Sequence, residues 1–425
     1  MREALAGLTV RGRAFLAAGV TAVVCAIVLD QSALTRVGVL VLVLPLLTAW
    51  VVGRNRYRLA LVRTVTPQLV AAGQPARVSL ALSNEGRSPN GVLLLEDHVP
   101  YVLGTRPRFV VEGIGSGWRQ SVSYQVRSDV RGRFEIGPMS VRVTDPFGLV
   151  ELGRTFRTTV PLIVTPRTVA LPQIPLGGAW TGSGDNRPRA FATGSAEDVT
   201  VREYRQGDDL RRVHWRSSAR LGELMVRREE QPWQSRATLV LDNRLQAHRG
   251  QGIASSLEAA VSAAASIAVH LSHRGFAVRL VTALGEDPAS NAWHLRDTDL
   301  NTGPLLEALA VVQAIQQPHL DTGWLAEGAH GGLTVAVFGG LGATDLPVLR
   351  RMQHQAGSAL AIALDVDAWL GAPAGEGATR ALGQQGWRAV PLGPRDRLDA
   401  VWQELGHTSS HSSRGATRPA SEATA

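Results

Sequence analysis

Two apolar runs near the start of the chain differ from everything that follows them. Residues 14–29 and 37–53 contain no charged side chain. Each is slightly shorter than the about 20 residues that cross a hydrocarbon core comfortably, and flanking residues can make up the difference. Neither run shows the polar face of a surface helix, and the second follows the first too closely for a cleaved signal peptide. We therefore expect two transmembrane helices within residues 1–57.

The arginines around these runs predict their orientation. The loop between them, residues 30–36, offers a single arginine, whereas both outer flanks are rich in arginine: Arg2, Arg11 and Arg13 before, and Arg54, Arg56, Arg58 and Arg63 after. The positive-inside rule then places both flanks, and the soluble domains, in the cytoplasm. Arginines so close to the membrane would also bind anionic lipid, so membrane lipid is an expected partner.

Residues 58–165 alternate between apolar and polar positions in short runs separated by turns. Residues 77–82 and 120–126 are examples, and Asp145-Pro146-Phe147-Gly148 is a strong turn. This period-2 pattern predicts an all-β immunoglobulin-like sandwich with one buried face. The glycine-rich stretch 113–117 precedes no helical pattern and no Lys-Ser/Thr, so we interpret it as a hairpin rather than a nucleotide loop.

Longer apolar runs that alternate with helical patterns begin near residue 237. Continuous apolar runs predict buried parallel strands at 237–242, 277–281, 333–338, 359–364 and 389–392. The segment 199–406 is therefore expected to contain a motif region followed by an α/β doubly wound domain. A Pro/Gly/Ser/Thr-rich linker, 166–198, precedes it, and residues 407–425 are expected to form a disordered tail.

Composition narrows the classes of function. The formal charge is +8, and all 44 basic residues are arginine. These arginines are spread over every segment rather than gathered in one patch with aromatic residues, which argues against a nucleic-acid partner. The one cysteine, Cys25, lies inside an apolar run and allows neither a disulfide nor a cysteine-based metal site.

The most highly charged segment is 202–230, where both signs are mixed. Asp208 can cap a helix over about 209–220, and Leu221-Gly222 would end it. In one interpretation the charges pair with each other and stiffen a junction; in the other, some of the arginines face a partner or an acidic ligand. Arginines around Glu203 and Asp208 would keep both carboxylates ionised, and His214 has no nucleophile at local spacing, so no catalytic residue is predicted.

The spacing within this segment resembles the bacterial domain of unknown function 58 family, as does the upstream Asp-Pro-Phe-Gly turn. The positions that we expect to form an interaction motif are Arg202, Glu203, Tyr204, Gly207, Asp208, Arg211, Trp215, Arg220, Arg227 and Glu230. The resemblance implies a von Willebrand factor A-like α/β domain. It also implies two partners, a MoxR-type AAA ATPase and a transglutaminase-like membrane protein.

Domains of the von Willebrand type often hold a divalent metal on an Asp-x-Ser-x-Ser loop, but here that loop reads Asp242-Asn243-Arg244-Leu245-Gln246. Both serines are absent, so the site is expected to be degenerate at Asp242, with no metal and no cofactor. The resulting hypothesis is a non-enzymatic membrane-anchored scaffold in membrane or cell-envelope complex assembly. The alternative is an enzyme of envelope metabolism, or its regulatory subunit, that uses the charged motif.

Overall fold

The structure is a computed structural model of the 425-residue chain. It describes residues 7–54, 59–84, 92–112, 115, 117–145, 147–176, 201–204, 213, 215–227, 235–286, 302–327, 332–373 and 375–408. These divide into two compact units, one drawn from Met1–Thr168 with Leu306–Val312, and the other from Val169–Leu305 with Gln313–Ala425. The predicted order of two apolar helices, a β-rich region and an α/β region is confirmed.

The first unit opens with a helical hairpin, α1 (Val10–Val28) and α2 (Ser32–Arg54). Thr9 caps α1, and its side-chain oxygen accepts a hydrogen bond from the N–H of Gly12. Both helices are long and apolar enough to cross a membrane, and only 17% of each apolar window is buried. The helices of a hairpin buried in a protein core would be mostly buried, so this exposure argues against such a core hairpin.

The β-rich region of the same unit surrounds one hydrophobic core. Its described strands group by hydrogen bonding in the orders β1-β3-β6, β2-β10-β7 and β5-β4-β8-β9. Their bounds are β1 Leu59–Thr66, β2 Leu69–Ala71, β3 Pro75–Asn84, β4 Val92–Asp97, β5 Arg108–Val111, β6 Arg119–Arg127, β7 Gly132–Ile136, β8 Met139–Thr144, β9 Glu151–Phe156 and β10 Val160–Thr165.

A buried ion pair lies in the β-rich core. The Arg63 guanidinium donates to both carboxylate oxygens of Asp97, and Nη1 donates to the carbonyl of Thr158 at 2.6 Å. The Tyr124 hydroxyl donates to Asp97 Oδ2 at 2.6 Å. Burial and this bond to a carboxylate raise the pKa of Tyr124. The arrangement leaves the buried carboxylate with three donors, which stabilises its charge.

The second unit contains a six-stranded sheet and a short hairpin before it. Its elements are β11 Val201–Glu203, α3 Trp215–Leu221, β12 Met225–Arg227, β13 Ser235–Leu241, α4 Ser256–His273, β14 Phe276–Thr282, β15 Gly285–Glu286, α5 Gly303–Val311, α6 Trp324–Glu327, β16 Leu333–Phe338, α7 Leu346–Gln355, β17 Ser358–Leu364, α8 Gly377–Gln384, β18 Arg388–Leu392 and α9 Leu398–His407. Of the residues of α5, those up to Leu305 are assigned to the second unit and those from Leu306 to the first.

The sheet order is β15-β14-β13-β16-β17-β18, with β15 alone antiparallel to its neighbour. The chain first adds strands on one side of β13 and then crosses to add β16 and the later strands on the other side. Such a reversal leaves a crevice at the carboxyl ends of the two central strands, where open α/β sheets bind ligands. The candidate site is therefore sought after β13 and β16.

The segment predicted as a linker begins with residues that the structure describes. Residues 169–176 run along the second unit, where the Trp402 indole donates to the carbonyl of Pro172 at 3.1 Å and Ser358 Oγ donates to that of Leu176 at 2.7 Å. Ile174 is buried. Residues 177–198, and the tail from 409 onward, lie outside the described residues.

Candidate functional site

The carboxyl ends of β13 and β16 meet at a buried ionic cluster. Asp242 follows β13 directly and is fully buried, and its N–H donates to the carbonyl of Val337 in β16 at 3.0 Å. Asp345 lies in the loop after β16, at the start of α7, and is also buried. The guanidinium of Arg244 lies between the two carboxylates and is 1% exposed.

Every N–H of the Arg244 guanidinium has an acceptor within the protein. Toward Asp242, Nε donates to Oδ1 and Nη2 to Oδ2, both at 2.9 Å. Toward Asp345, Nη1 donates to Oδ1 at 2.7 Å and Nη2 to Oδ2 at 3.3 Å, and Nη1 also donates to the carbonyl of Pro318 at 3.3 Å. These five bonds use all five donors of an arginine. Arg244 therefore has no donor left for a ligand.

The protonation states of this cluster follow from burial and pairing. Burial opposes the charge on Arg244, but the hydrogen bonds to Asp242 and Asp345 outweigh it and raise the pKa of the guanidinium. Two carboxylates against one guanidinium leave one negative charge in excess. The N–H of Gly342 donates to Asp345 Oδ2 at 2.9 Å, and the positive end of the α7 dipole lies beside this carboxylate. Both contacts stabilise the remaining charge.

His248 closes the cluster from the loop after β13. Its Nε2 lies 2.7 Å from the Asp242 carbonyl oxygen, which can only accept, so Nε2 carries the hydrogen. Nδ1 then accepts from the hydroxyl of Ser256, 3.1 Å away, while Ser256 Oγ accepts the N–H of Arg249. Burial lowers the pKa of His248, and the charges of Arg244 and Arg249 act in the same direction. The ring is therefore a neutral structural link and not an available base.

The loop after β13 also fills the crevice itself. The N–H of Gly340, just after β16, donates to the carbonyl of Ala247 at 2.7 Å. A methyl group added to Gly339 would overlap the same carbonyl oxygen, so this close approach needs glycine. At Ala247 the loop after β13 therefore lies directly against the residues that follow β16. The position where this fold class binds ligands is thus closed by its own chain.

The donor set does not fit a divalent cation. Mg²⁺ prefers a near-octahedral shell of oxygen ligands, whereas a guanidinium occupies the space between Asp242 and Asp345 here. Among the described residues, no group of three or more His, Cys, Asp or Glu side chains is placed to hold a metal ion. The sequence drew attention to Arg244 as an obstacle to metal binding, but it did not predict that Asp345 completes the cluster.

Four apolar side chains are exposed on the loops around this closed crevice, and we call them the edge set: Leu245, Ile253, Leu284 and Leu370, which are between 52% and 65% exposed. Hydrogen bonds hold the loops that carry them. The N–H of Ala283 donates to Asn243 Oδ1 at 3.0 Å, and the Trp369 indole donates to the carbonyl of Ala254 at 3.0 Å. The edge set is therefore displayed on an ordered framework.

The structure describes only part of the predicted interaction motif. Arg202 and Glu203 lie on β11 and Arg227 on β12, and these strands pair antiparallel with Arg202 opposite Val226. Trp215 and Arg220 are exposed on α3, and the half-buried Tyr204 donates its N–H to the carbonyl of Leu224 at 2.8 Å. Four motif positions lie outside the described residues: Gly207, Asp208, Arg211 and Glu230.

The helix of the motif differs from the predicted one. It begins at Trp215 and ends at Leu221, and of the predicted helix 209–220 the structure describes only Val213 before Trp215. Val213 forms an isolated bridge with Val226 of β12, so the chain is extended at this point. Ser218 Oγ accepts the N–H of Met225 at 2.8 Å, which ties the helix to β12. The two ends of the motif that the structure describes, β11 and β12, thus pair as antiparallel strands.

These features define a class of multidomain protein with an N-terminal helical hairpin. The hairpin of two apolar helices is followed by a β-rich region and by an open α/β sheet, and Arg244 occupies the edge of that sheet. Residues 200–289 match the model of the family described as "Protein of unknown function DUF58". That range covers the charged motif, β13, the arginine loop, α4 and β14. The resemblance noted in the sequence is thereby confirmed.

Solved structures offer only distant similarities. The CARDB domain of the PF1109 protein from Pyrococcus furiosus is 15% identical, with 25% of this chain and 93% of that chain covered and a TM-score of 0.20. The alkylpurine DNA glycosylase AlkC from Pseudomonas fluorescens is 16% identical over 30% and 40%, with a TM-score of 0.17. Macromomycin is 16% identical over 23% and 98%, with a TM-score of 0.11. No curated protein matches the chain. These scores carry no argument about function.

Proposed function

We propose that this chain is a membrane-anchored docking protein. Its α/β domain presents to a protein partner the edge of the sheet where β13 and β16 have their carboxyl ends, which we call the carboxyl edge. The closed crevice carries the proposal. All five Arg244 donors are satisfied, and the Ala247 carbonyl lies against the glycines after β16, so the edge offers surface rather than a cavity. Exposed apolar side chains on ordered loops are typical of protein interaction sites.

The α/β domain is proposed to be von Willebrand factor A-like and the β-rich region immunoglobulin-like. The single antiparallel edge strand β15 and the reversal of strand order at β13 support the first assignment. A shared core between hydrogen-bonded groups of strands supports the second. In this version of the α/β domain, the Arg244 guanidinium supplies the positive charge that a metal ion would otherwise provide.

The proposed partner is an AAA ATPase of the MoxR type, with a transglutaminase-like membrane protein as a further one. Both come from the family resemblance, and the assigned role is non-enzymatic assembly of membrane or cell-envelope complexes. The alternative role, enzyme or regulatory subunit of envelope metabolism through the charged motif, depends largely on residues outside those described. No feature of the described residues favours it over docking.

A pull-down with the full chain in detergent tests the docking surface. Leu245→Glu combined with Leu284→Glu should abolish recovery of the ATPase, because a charge on the apolar surface must be desolvated on binding. Val169→Glu is the matched control, since Val169 is exposed at 46% in the same unit and its N–H bonds to Ser266 along α4, away from the edge. Equal recovery with both variants, or no ATPase with the wild-type chain, would refute the proposal.

The membrane anchor and its orientation need a separate test. The arginine flanks predict that the soluble units are cytoplasmic, so protease added to intact cells should leave these units whole. Lysed cells treated in the same way provide the control for cleavage. Loss of the soluble units from intact cells, with interior marker proteins spared, would show that the orientation is wrong.

A further inference from the structure

The turn Asp145–Val150 of the β-rich region is held in one conformation by its first residue. Asp145 Oδ1 accepts the N–H of Val150 at 2.6 Å, and Oδ2 accepts that of Phe147 at 3.1 Å. Its carbonyl accepts the N–H of Gly148 at 3.0 Å. The buried side chain of Asp145 therefore holds the backbone N–H groups of Phe147 and Val150, and so positions the backbone that carries the Phe147 ring.

This turn is bonded to the start of the helical hairpin within the same unit. The N–H of Thr9 donates to the carbonyl of Leu149 at 2.9 Å, and the Thr9 hydroxyl donates to that of Gly148 at 2.7 Å. A methyl group added to Gly12 would overlap the Leu149 carbonyl. The Asp145–Val150 turn is therefore in direct contact with the first residues of α1, and this contact requires glycine at position 12.

The turn lies beside the helices and not beyond their ends. Leu149 and Val150 are buried in a small cluster with Ala49, and Leu16 and Leu44 pack against it. At 1.5 Å per residue, Ala49 lies about 7 Å and Leu44 about 15 Å inside the end of α2. A turn that contacts these positions lies at the depth where the headgroups meet the acyl chains once the hairpin is in a bilayer.

Among the described apolar residues of this turn, Phe147 has the side chain that the protein leaves uncovered. It is 60% exposed although its neighbours Leu149 and Val150 are buried. Arg11, the second residue of α1, lies alongside, with Nη1 3.7 Å from the position of a Gly148 methyl. An exposed Phe beside an arginine is a combination found in elements that lie in the membrane–water interface, where the ring enters the acyl boundary and the arginine binds anionic headgroups.

We propose that the Asp145–Val150 turn is a membrane-contact element, with the ring of Phe147 inserted at the boundary between headgroups and acyl chains. The inference rests on the proposed membrane anchor and extends it: the β-rich region would bind the bilayer surface directly through this turn. The partner is lipid, because the turn is continuous with two helices that are apolar and largely exposed along their length.

Spin labels on single cysteines test the inference in the full chain reconstituted in anionic lipid nanodiscs. Phe147→Cys is made in a Cys25→Ser background, and accessibility to oxygen and to a water-soluble nickel chelate is measured. Tyr101→Cys in the same background is the control. Tyr101 is 92% exposed and follows Asp97, which lies opposite Met139 at the far end of the β4–β8 pair, about 17 Å from the turn.

We expect a label at 147 to favour oxygen severalfold over the nickel chelate, and a label at 101 to show the reverse. The native Cys25, labelled in the otherwise unchanged chain, reports separately on the anchor, because it lies within α1. A lipid-embedded label at 25 with a water-exposed label at 147 would refute the membrane contact of the turn but would still support the membrane anchor. A water-exposed label at 25 would overturn both, and a label at 147 shielded from both reagents would assign the turn to a second copy instead.

Discussion

Replacing Arg244 with methionine tests whether the guanidinium holds the carboxyl edge together. The change removes the positive charge between Asp242 and Asp345, which are 0% and 4% exposed. Removing one partner of a buried, hydrogen-bonded ion pair costs about 3–5 kcal/mol, because the remaining charge stays desolvated. At about 2–4 °C per kcal/mol for a domain of this size, the melting temperature of the second unit should fall by about 10 °C.

The same substitution at the surface is the control. Arg397 contacts Asp399 at the same 2.7 Å distance as Arg244 Nη1 contacts Asp345, but its side chain is 81% exposed. Arg397→Met should therefore cost less than about 1 kcal/mol. Urea titration of the full chain in detergent, followed by the fluorescence of the buried Trp324 and Trp387, measures both variants.

Acid provides an internal check on the cause of the loss. Without the guanidinium, the two buried carboxylates lose their counter-charge, and protonation would remove the cost of burying an unpaired charge. The deficit of Arg244→Met should then shrink as the pH falls toward 4 and widen toward neutrality. Combining it with Asp242→Asn and Asp345→Asn should recover part of the loss at pH 7. An Arg244→Met chain within 1 kcal/mol of wild type at pH 7 would refute the reasoning.

Three further outcomes follow from the same structure. Burial lowers the pKa of His248, so the unfolded chain binds a proton more readily and stability should fall as the pH drops below about 6.5; His248→Gln should flatten this slope in urea titrations repeated across pH. Tyr124→Phe removes a donor to the buried carboxylate of Asp97 and should destabilise the β-rich region by about 1.5–3 kcal/mol in the same assay. Gly339→Ala should lower the free energy of unfolding by at least about 1–3 kcal/mol because of the carbonyl overlap described above. Gly383→Ala is its control: Gly383 has open space around it in α8, so this change should leave the melting temperature unchanged or raise it.

The bounds of an element are predicted best where all of its residues lie in the same kind of environment. The strand Leu333–Phe338 has the predicted bounds because both faces of a buried parallel strand are apolar, so the pattern is continuous and its ends are sharp. The two helices of the hairpin are predicted as charge-free runs for a similar reason. The ends of these helices are not predicted: α1 begins at Val10 and includes Arg11 and Arg13, ahead of the predicted start at residue 14.

That early start depends on a contact that no local pattern contains. Thr9 bonds to the carbonyls of Gly148 and Leu149, which are about 140 positions away in the chain. The ionic cluster around Arg244 likewise depends on a contact between residues that are far apart in the chain. The sequence shows an arginine where a metal ligand would stand, but the guanidinium becomes a structural group only through Asp345, 101 positions away. An aspartate before a helix is usually a cap, so its type alone gave no signal.

An arginine in place of a metal ion changes what the carboxyl edge can do for a partner. A divalent ion with an open coordination position accepts a ligand from outside, and that single bond can dominate recognition. Arg244 has no free donor, and its carboxylate partners are buried, so a partner gains nothing from charge at this point. Under the proposed function, affinity must then come from apolar contact and shape at the edge set, held in place by hydrogen-bonded loops, and should be insensitive to chelators. The cluster acts on binding indirectly, because it fixes the loops before a partner arrives and so reduces the entropy that association must remove.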